Sequence, residues 1–312
     1  MTTTRQWHGG ELRQQRLTGD WTILAPGRAA RPHGETGGCP FCPGPGEDTP
    51  PESWRLPAVD GVGWRVRAVP NRYALSDRHE VIIESPRHDW DPVTGSDAEL
   101  TDVLFTWQQR HIALRGYAAQ VVIFRNHGRA AGTSLSHPHS QLAGLPVLAP
   151  GTLRRLEAFR EHHRRFGRPF ASDELAEEFA VAERIVHSAE NTVVFAPFAP
   201  TAAYELRLVP RRARADFAMV PRPELREIAH TLRLVLGALG EEIADLAYNI
   251  VVDTAPTGWE QAPFLTWSIH ILPRRTVPAG LESATGIPVV TTTPERAAAC
   301  LKARLTKATG AG

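Results

Sequence analysis

The sequence predicts an α+β fold of two similar halves that share a mostly antiparallel sheet with helices packed on one face. Three observations carry this. A strand, helix, strand, loop, strand order occurs twice; the chain of 312 residues is long enough to bury two such units; and no run of about 18 apolar residues interrupts the pattern. The first unit opens with the strand HEVIIES from His79, continues as a helix from Asp97 to about Arg115, returns as the apolar strand QVVIF from Gln120, and ends in SLSHPHSQL. The second opens with YELRLVP from Tyr204, continues as a helix over about 223–247, returns as YNIVVD from Tyr248, and ends in FLTWSIHILP. Superposed, the units set Thr266 opposite His137, Ser268 opposite His139 and His270 opposite Gln141. The division is placed at 1–178 and 179–312. Around it lies a polar helical segment, 151–190, whose Glu161-His162-His163-Arg164-Arg165 run reads as a solvated face.

Charge narrows the partners. Lys+Arg number 35 and Asp+Glu 34, a net charge of +1, so no general attraction to nucleic acid or an anionic membrane is encoded. An anionic ligand has to be met locally. The N-terminus lacks a hydrophobic signal core, and the expected location is cytoplasmic and soluble. Of three cysteines, two form Cys39-Pro40-Phe41-Cys42, which in a reducing compartment suggests a metal site or a redox pair. Cys300, in an alanine-rich helical stretch, reads as a packing residue. The Pro43-Gly44-Pro45-Gly46 and Pro50-Pro51 stretch reads as a rigid surface loop.

The chemistry concentrates in residues 124–142, FRNHGRAAGTSLSHPHSQL. On a strand His137 and His139 share a face, while Pro138 faces away and has no N–H to donate. Two adjacent imidazoles need a metal, an anion or a carbonyl if they are buried. Two thiolates and two imidazoles make a closed tetrahedral zinc site, so Cys39, Cys42 and His137 are candidate ligands. The bland alternative is a metal-free CxxC with ordinary surface histidines. His139 is the candidate nucleophile: a neutral imidazole attacks phosphorus near pH 7 and leaves well afterwards. Packing, or a second ligand role, is its alternative. Gln141 can donate its amide to a phosphoryl oxygen or be a plain strand glutamine. In the loop 130–134, Gly132 and Thr133 leave room for backbone N–H groups to approach a phosphate, and Ser134 adds a hydroxyl.

Taken together, CPFCPG, SPRH at Ser85 to His88, FRNHGRAAGTSLSHPHSQL, and WSIHILPR followed by AGLE resemble the galactose-1-phosphate uridylyltransferases, a branch of the histidine-triad superfamily. The resemblance extends to ADP-glucose phosphorylase. It implies two histidine-triad-like halves, and it places the fourth zinc ligand at His88. His139 would attack the α-phosphorus of a nucleotide sugar, release a sugar 1-phosphate, and hold a nucleotidyl-histidine until a second acceptor takes the nucleotide. The main-chain carbonyl of His137 would fix the other ring nitrogen. By the same resemblance Asn126 contacts phosphate, Asn71 the nucleotide, and Arg28 and Arg31 the nucleotide sugar, where a guanidinium fork suits a diphosphate. Glu282 would bind sugar hydroxyls. A homodimer, nucleotide-sugar and sugar 1-phosphate substrates, and a place in galactose or carbohydrate metabolism are also implied.

Two departures are visible. Thr266-Trp267-Ser268 stands where many relatives carry HxH, and Arg155 where they carry a glutamate, so a second metal site is expected to be absent and His270 to be a hydrogen-bonded core residue. Leu281 replaces an aromatic, which puts galactose specificity in doubt. Four functions compete: a nucleotidyltransferase, a nucleotide-sugar phosphorylase, a histidine-triad hydrolase, and a non-catalytic zinc-binding module.

Overall fold

The computed structural model describes residues 4–7, 9–30 and 38–310. A small three-stranded sheet comes first, β1 (Thr4–Trp7), β2 (Gly10–Gln14) and β3 (Trp21–Leu24). The next ten strands form one sheet. The first half supplies β4 (Trp54–Pro57), β5 (Trp64–Pro70), β6 (Arg78–Ile83), β7 (Gln120–His127) and β8 (His139–Leu145). The second supplies β9 (Ile185–Ser188), β10 (Thr192–Phe195), β11 (Leu206–Pro210), β12 (Tyr248–Asp253) and β13 (Ser268–Pro273). Their order, β4-β5-β6-β8-β7-β12-β13-β11-β10-β9, reads alike from either edge: three strands in sequence, then the last strand of the half, then the central one. Every pairing is antiparallel. The halves meet at β7 and β12, where Asn249 opposes Asn126 and Tyr248 opposes His127.

Helix α1 (Asp97–Arg115) lies where the sequence predicts it. Ser96 begins it with a reciprocal cap, accepting from the Glu99 N–H while the Glu99 carboxylate accepts from the Ser96 N–H at 2.8 Å. Its counterpart α4 runs Arg222–Glu242, ending five residues before the expected position. Leu104 and Trp107 of α1, Leu225, Leu232 and Leu239 of α4, and Leu301 of α6 (Pro294–Gly310) form one core with Ile82, Leu142, Leu208 and Ile271 of the sheet. Each such side chain contributes about 1.5–3 kcal/mol on burial. Cys300 packs at the edge of this core.

The 151–190 segment, expected to be polar and helical, is helical over most of its length but broken. It folds as α2 (Pro150–Phe166), α3 (Phe170–Val181) and β9. Gly167, at φ 71°, and Pro169 end the first helix, since neither favours helical continuation. The expected division at residue 178 falls inside α3. Leu175 of α3 packs on Val193, Phe195 and Val209, the face of the sheet turned away from α1 and α4. Helices therefore flank both faces of the second half, not one.

In the first half that second face is covered differently. Trp64, Val69, Val81 and Ile83 are packed there under Phe41, from the cysteine turn. His139 pairs across the ladder with Ile83, and Gln141 with Val81, so both point to this side. No helix of the described residues is long and apolar enough to cross a membrane.

Candidate active site and metal centre

Cys39, Cys42, His88 and His137 converge, their ligand atoms all within 4.8 Å of one another. Cys39 Sγ and Cys42 Sγ each lie 3.5 Å from His137 Nδ1, and Cys42 Sγ lies 3.3 Å from His88 Nδ1. A tetrahedral zinc site with Zn–S of ~2.3 Å and Zn–N of ~2.0–2.1 Å has S···N edges of roughly 3.5 Å. The four residues fit that ion in number, donor chemistry and spacing. Ring orientation agrees: His137 Nε2–H donates to the Ser85 carbonyl at 2.9 Å, leaving Nδ1 as the lone-pair nitrogen beside the sulfurs. His88 Nε2 sits 3.0 Å from Ser136 Oγ, again turning Nδ1 toward the thiols. Burial pushes the Cys39 thiol up to about 11, with the Cys42 thiol adding to the rise and backbone N–H bonds opposing it. A divalent cation bound there would have to displace a proton.

This cluster bears directly on His139. His139 Nδ1–H donates to the His137 carbonyl at 2.9 Å, so Nε2 carries the lone pair. His137 and Pro138 lie just before β8 rather than within it. The Pro138 carbonyl accepts from the Glu84 N–H at 3.1 Å, which extends the pairing to β6 past the end of the strand. Phe41 stands edge-on to both rings, with centroids at 5.9 Å from His137 and 5.6 Å from His139. One turn thus holds the cysteines and wedges the candidate nucleophile.

In front of His139 is a cavity of about 420 Å³ lined by Arg125, Asn126, His127, Gly128, Arg129, Thr133, Ser134, His137 and His139, among others. A short 3-10 turn, Arg129–Ala131, and Gly132 at φ +85° fold the loop over it. Gln141 is on the same face of β8 as His139, two residues further along. Its Oε1 accepts from Asn71 Nδ2 at 3.2 Å and from His79 Nε2 at 3.0 Å, and His79 Nδ1 accepts from the Leu75 N–H at 2.9 Å. With both donors on its oxygen, the Gln141 amide nitrogen is turned the other way. Asn71 Oδ1 accepts from the Tyr73 N–H at 2.8 Å. Arg28 Nη1 donates to the Tyr73 carbonyl at 2.6 Å, and burial lowers the Arg28 pKa.

The structure therefore gathers Asn126, Thr133, Ser134, His137 and His139 at one cavity, with Gln141, Asn71 and Arg28 following along its β6 side. Glu282 lies elsewhere: its carboxylate accepts from the Ala279 N–H at 3.1 Å, at the start of the short helix α5 (Gly280–Thr285). Arg31 lies outside the described residues. Sequence reading missed Arg125 and Arg129. Arg129 had a signal, a guanidinium inside a small-residue loop. Arg125 had none, because its partners, Glu84 at 3.0 Å and the Tyr248 hydroxyl at 2.9 Å, arrive from distant strands.

The corresponding region of the second half is a smaller cavity lined by Arg155, Arg207, Asp253, Thr266, Ser268 and His270. The positions that depart from the family pattern are thus neighbours in space. Arg155 Nη2 donates to Asp253 Oδ1 at 2.9 Å; His270 Nε2 lies 3.3 Å from Asp253 Oδ2 and Nδ1 3.7 Å from Glu205 Oε1. Burial opposes charging His270, but hydrogen bonds to Asp253 and Glu205 outweigh it and raise its pKa. This is an ion-pair cluster, more polar than the core histidine expected.

The chain thus combines a doubled antiparallel sheet with an imidazole placed beside a Cys2His2 cluster and a small-residue loop. Residues 77–148 match the family model of the galactose-1-phosphate uridyl transferase N-terminal domain. The chain is 27% identical to the ADP-glucose phosphorylase of Arabidopsis thaliana over 94% of this chain and 92% of that one. It is 32% identical to the galactose-1-phosphate uridylyltransferase of Streptomyces lividans over 66% of this chain and 58% of that protein. Among solved structures, a uridylyltransferase superposes with a TM-score of 0.83 at 27% identity, covering 95% of this chain and 98% of that one. The Arabidopsis thaliana ADP-glucose phosphorylase with bound ADP-glucose gives 0.77 at 26% identity, covering 94% and 98%. The chain is thus similar to galactose-1-phosphate uridylyltransferases and to an ADP-glucose phosphorylase, as its motifs implied.

Proposed function

We propose that the protein is a nucleotidyltransferase of the galactose-1-phosphate uridylyltransferase type, moving a nucleoside monophosphate between sugar 1-phosphates through His139. The observation that carries this reading is the His139 Nδ1–H bond to the His137 carbonyl, which leaves Nε2 as the nucleophilic nitrogen. Nε2 forms a bond to the α-phosphorus of a nucleotide sugar, and the bond from that phosphorus to the bridging oxygen breaks, so the sugar 1-phosphate leaves with the electron pair. In the second displacement a phosphate oxygen of the acceptor takes the nucleotide and the P–N bond breaks. Gln141, Asn126, Ser134 and the N–H groups around Gly132 and Thr133 would bind the non-bridging oxygens. Arg28 and, from the loop, Arg129 would counter the charge of the diphosphate, and Asn71 would contact the nucleotide. Zinc, held by Cys39, Cys42, His88 and His137, would be structural, fixing the approach to β8 with no ligand position left for water.

A second reading keeps the same histidine and makes inorganic phosphate the acceptor. The near full-length similarity to an ADP-glucose phosphorylase supports it. The protein is incubated with UDP-glucose or ADP-glucose labelled at the α-phosphate, quenched, and counted for acid-labile, protein-bound label. Chase by galactose 1-phosphate supports transfer, and chase by phosphate supports phosphorolysis. His139→Ala is expected to abolish labelling. Turnover to water with no trapped label, or labelling of the alanine variant, would sink the mechanism. The homodimer implied by the resemblance is part of this proposal, and light scattering of the purified protein tests it.

A further inference from the structure

The second half reaches the lining of the first half's cavity through Tyr248, which meets Arg125 and His127, and through the amide of Asn249. Asn249, on β12, stands directly opposite Asn126 of β7. Its Nδ2 donates to Asn126 Oδ1 at 2.7 Å and to the Ala131 carbonyl at 3.0 Å, and its Oδ1 accepts from Arg274 Nε. A carbonyl can only accept and a guanidinium can only donate, so these two partners permit a single orientation of the Asn249 amide. That orientation in turn commits the Asn126 oxygen to Asn249, leaving the Asn126 NH2 group as the donor available to the cavity it lines. The same platform seats the loop. Gly128 has φ +78°, and a Cβ there would lie 2.8 Å from the Ala247 Cβ, while the Ala247 carbonyl accepts from the Arg274 N–H at 2.7 Å.

We infer that Asn249 is a positioning residue for nucleotidyl transfer: it sets the Asn126 amide to donate, and it anchors the Ala131 end of the loop that receives the phosphate. The inference rests on the nucleotidyl-histidine reading above. Asn249 itself does not touch substrate in this scheme. Asp at 249 would keep its size and its bond to Arg274 but present oxygen to Asn126 and to the Ala131 carbonyl. The Asn126 amide would then turn over and offer an oxygen to the phosphate. A misaimed support of this kind costs roughly tenfold to a hundredfold in rate.

The test is a single-turnover labelling experiment on the full chain with α-phosphate-labelled UDP-glucose and ADP-glucose, comparing wild type, N249D, N249A, N126A and N126A/N249A. With N249D and N249A, the rate at saturating nucleotide sugar is expected to fall about tenfold or more, while the concentration giving half the maximal rate shifts less than about threefold. Because Asn249 acts largely through Asn126, the double variant should be no more than about threefold slower than N126A alone. Thermal melts accompany each variant, and if N249D is unfolded at the assay temperature, N249S replaces it. Labelling of the folded 249 variants at the wild-type rate overturns the inference, as does a double variant whose loss is the product of the two single losses. Absence of label on the wild type would instead count against the nucleotidyl-histidine reading.

Discussion

His139 begins β8 and His270 lies two residues into β13, where Ser268 is the counterpart of His139, and the two imidazoles have opposite surroundings. The His139 ring is fixed by a main-chain carbonyl, which suits a neutral base. His270 is fixed by two carboxylates, which suit a cation. Since the folded pKa of His270 is raised, its ion pairs stabilise the fold fully below the unfolded value of ~6.5, and that contribution is lost as pH rises through the folded pKa. His270→Gln is therefore expected to widen its stability deficit from wild type at pH 6 and narrow it at pH 9, read from urea melts at both values. An equal deficit at both would show that the imidazolium is not held. At this scale the sequence spoke clearly wherever chemistry was local: Cys39 with Cys42, and His137 with His139, lie two or three positions apart. It was silent on Asn249 and Arg125, because Asn249 meets Asn126, and Arg125 meets Tyr248, only where strands 123 residues apart pair.

The cysteine turn and the glycine loop are the elements that make a strand end into a site. Stripping the metal with a chelator, or Cys39→Ser, should free the turn that carries Phe41 and thereby loosen His139. The expected result is one zinc per chain in the purified protein by elemental analysis, with loss of labelling and a lowered melting temperature on removal, both restored by added zinc. Full labelling of a metal-free sample would refute the supporting role. Gly128→Ala forces a side chain into left-handed backbone and against Ala247, and should destabilise by about 1–3 kcal/mol in a denaturant titration. The helices α1 and α4 were legible because apolar residues recur along them. The α2–α3 break was harder to read, because its stop depends on one glycine and one proline within a polar run, and the face that α3 covers appears only once Leu175 meets Val193 and Val209.

At the level of the whole molecule, the duplication foreseen from the repeated strand–helix–strand order became a single ten-stranded sheet, and the position of its seam could not be read from either repeat alone. Polar groups are buried there. Glu84 and Arg125 are both almost inaccessible, Arg125 also donates to the Tyr248 hydroxyl, and His127 stacks on the Tyr248 ring at 4.8 Å. Burial pushes the Glu84 carboxyl up while Arg125 pulls it down, and the guanidinium keeps its proton. Glu84→Gln strands a buried cation, so unfolding free energy should fall by about 3 kcal/mol in a denaturant melt. A change under 0.5 kcal/mol would mean that water reaches the pair.

The unbroken ladder from β7 to β12 has a stoichiometric consequence. The β7 and β12 edges are paired within one chain, so a second copy cannot add a strand there, while β4 and β9 remain the outer edges of the sheet. Of the two corresponding strand starts, the first carries His139 beside its cavity and the second carries Ser268, two residues before the His270 that pairs with Asp253 and Glu205. With His139 as the attacking group proposed above, the burst amplitude of bound nucleotide is expected to saturate at one equivalent per polypeptide, however many polypeptides assemble.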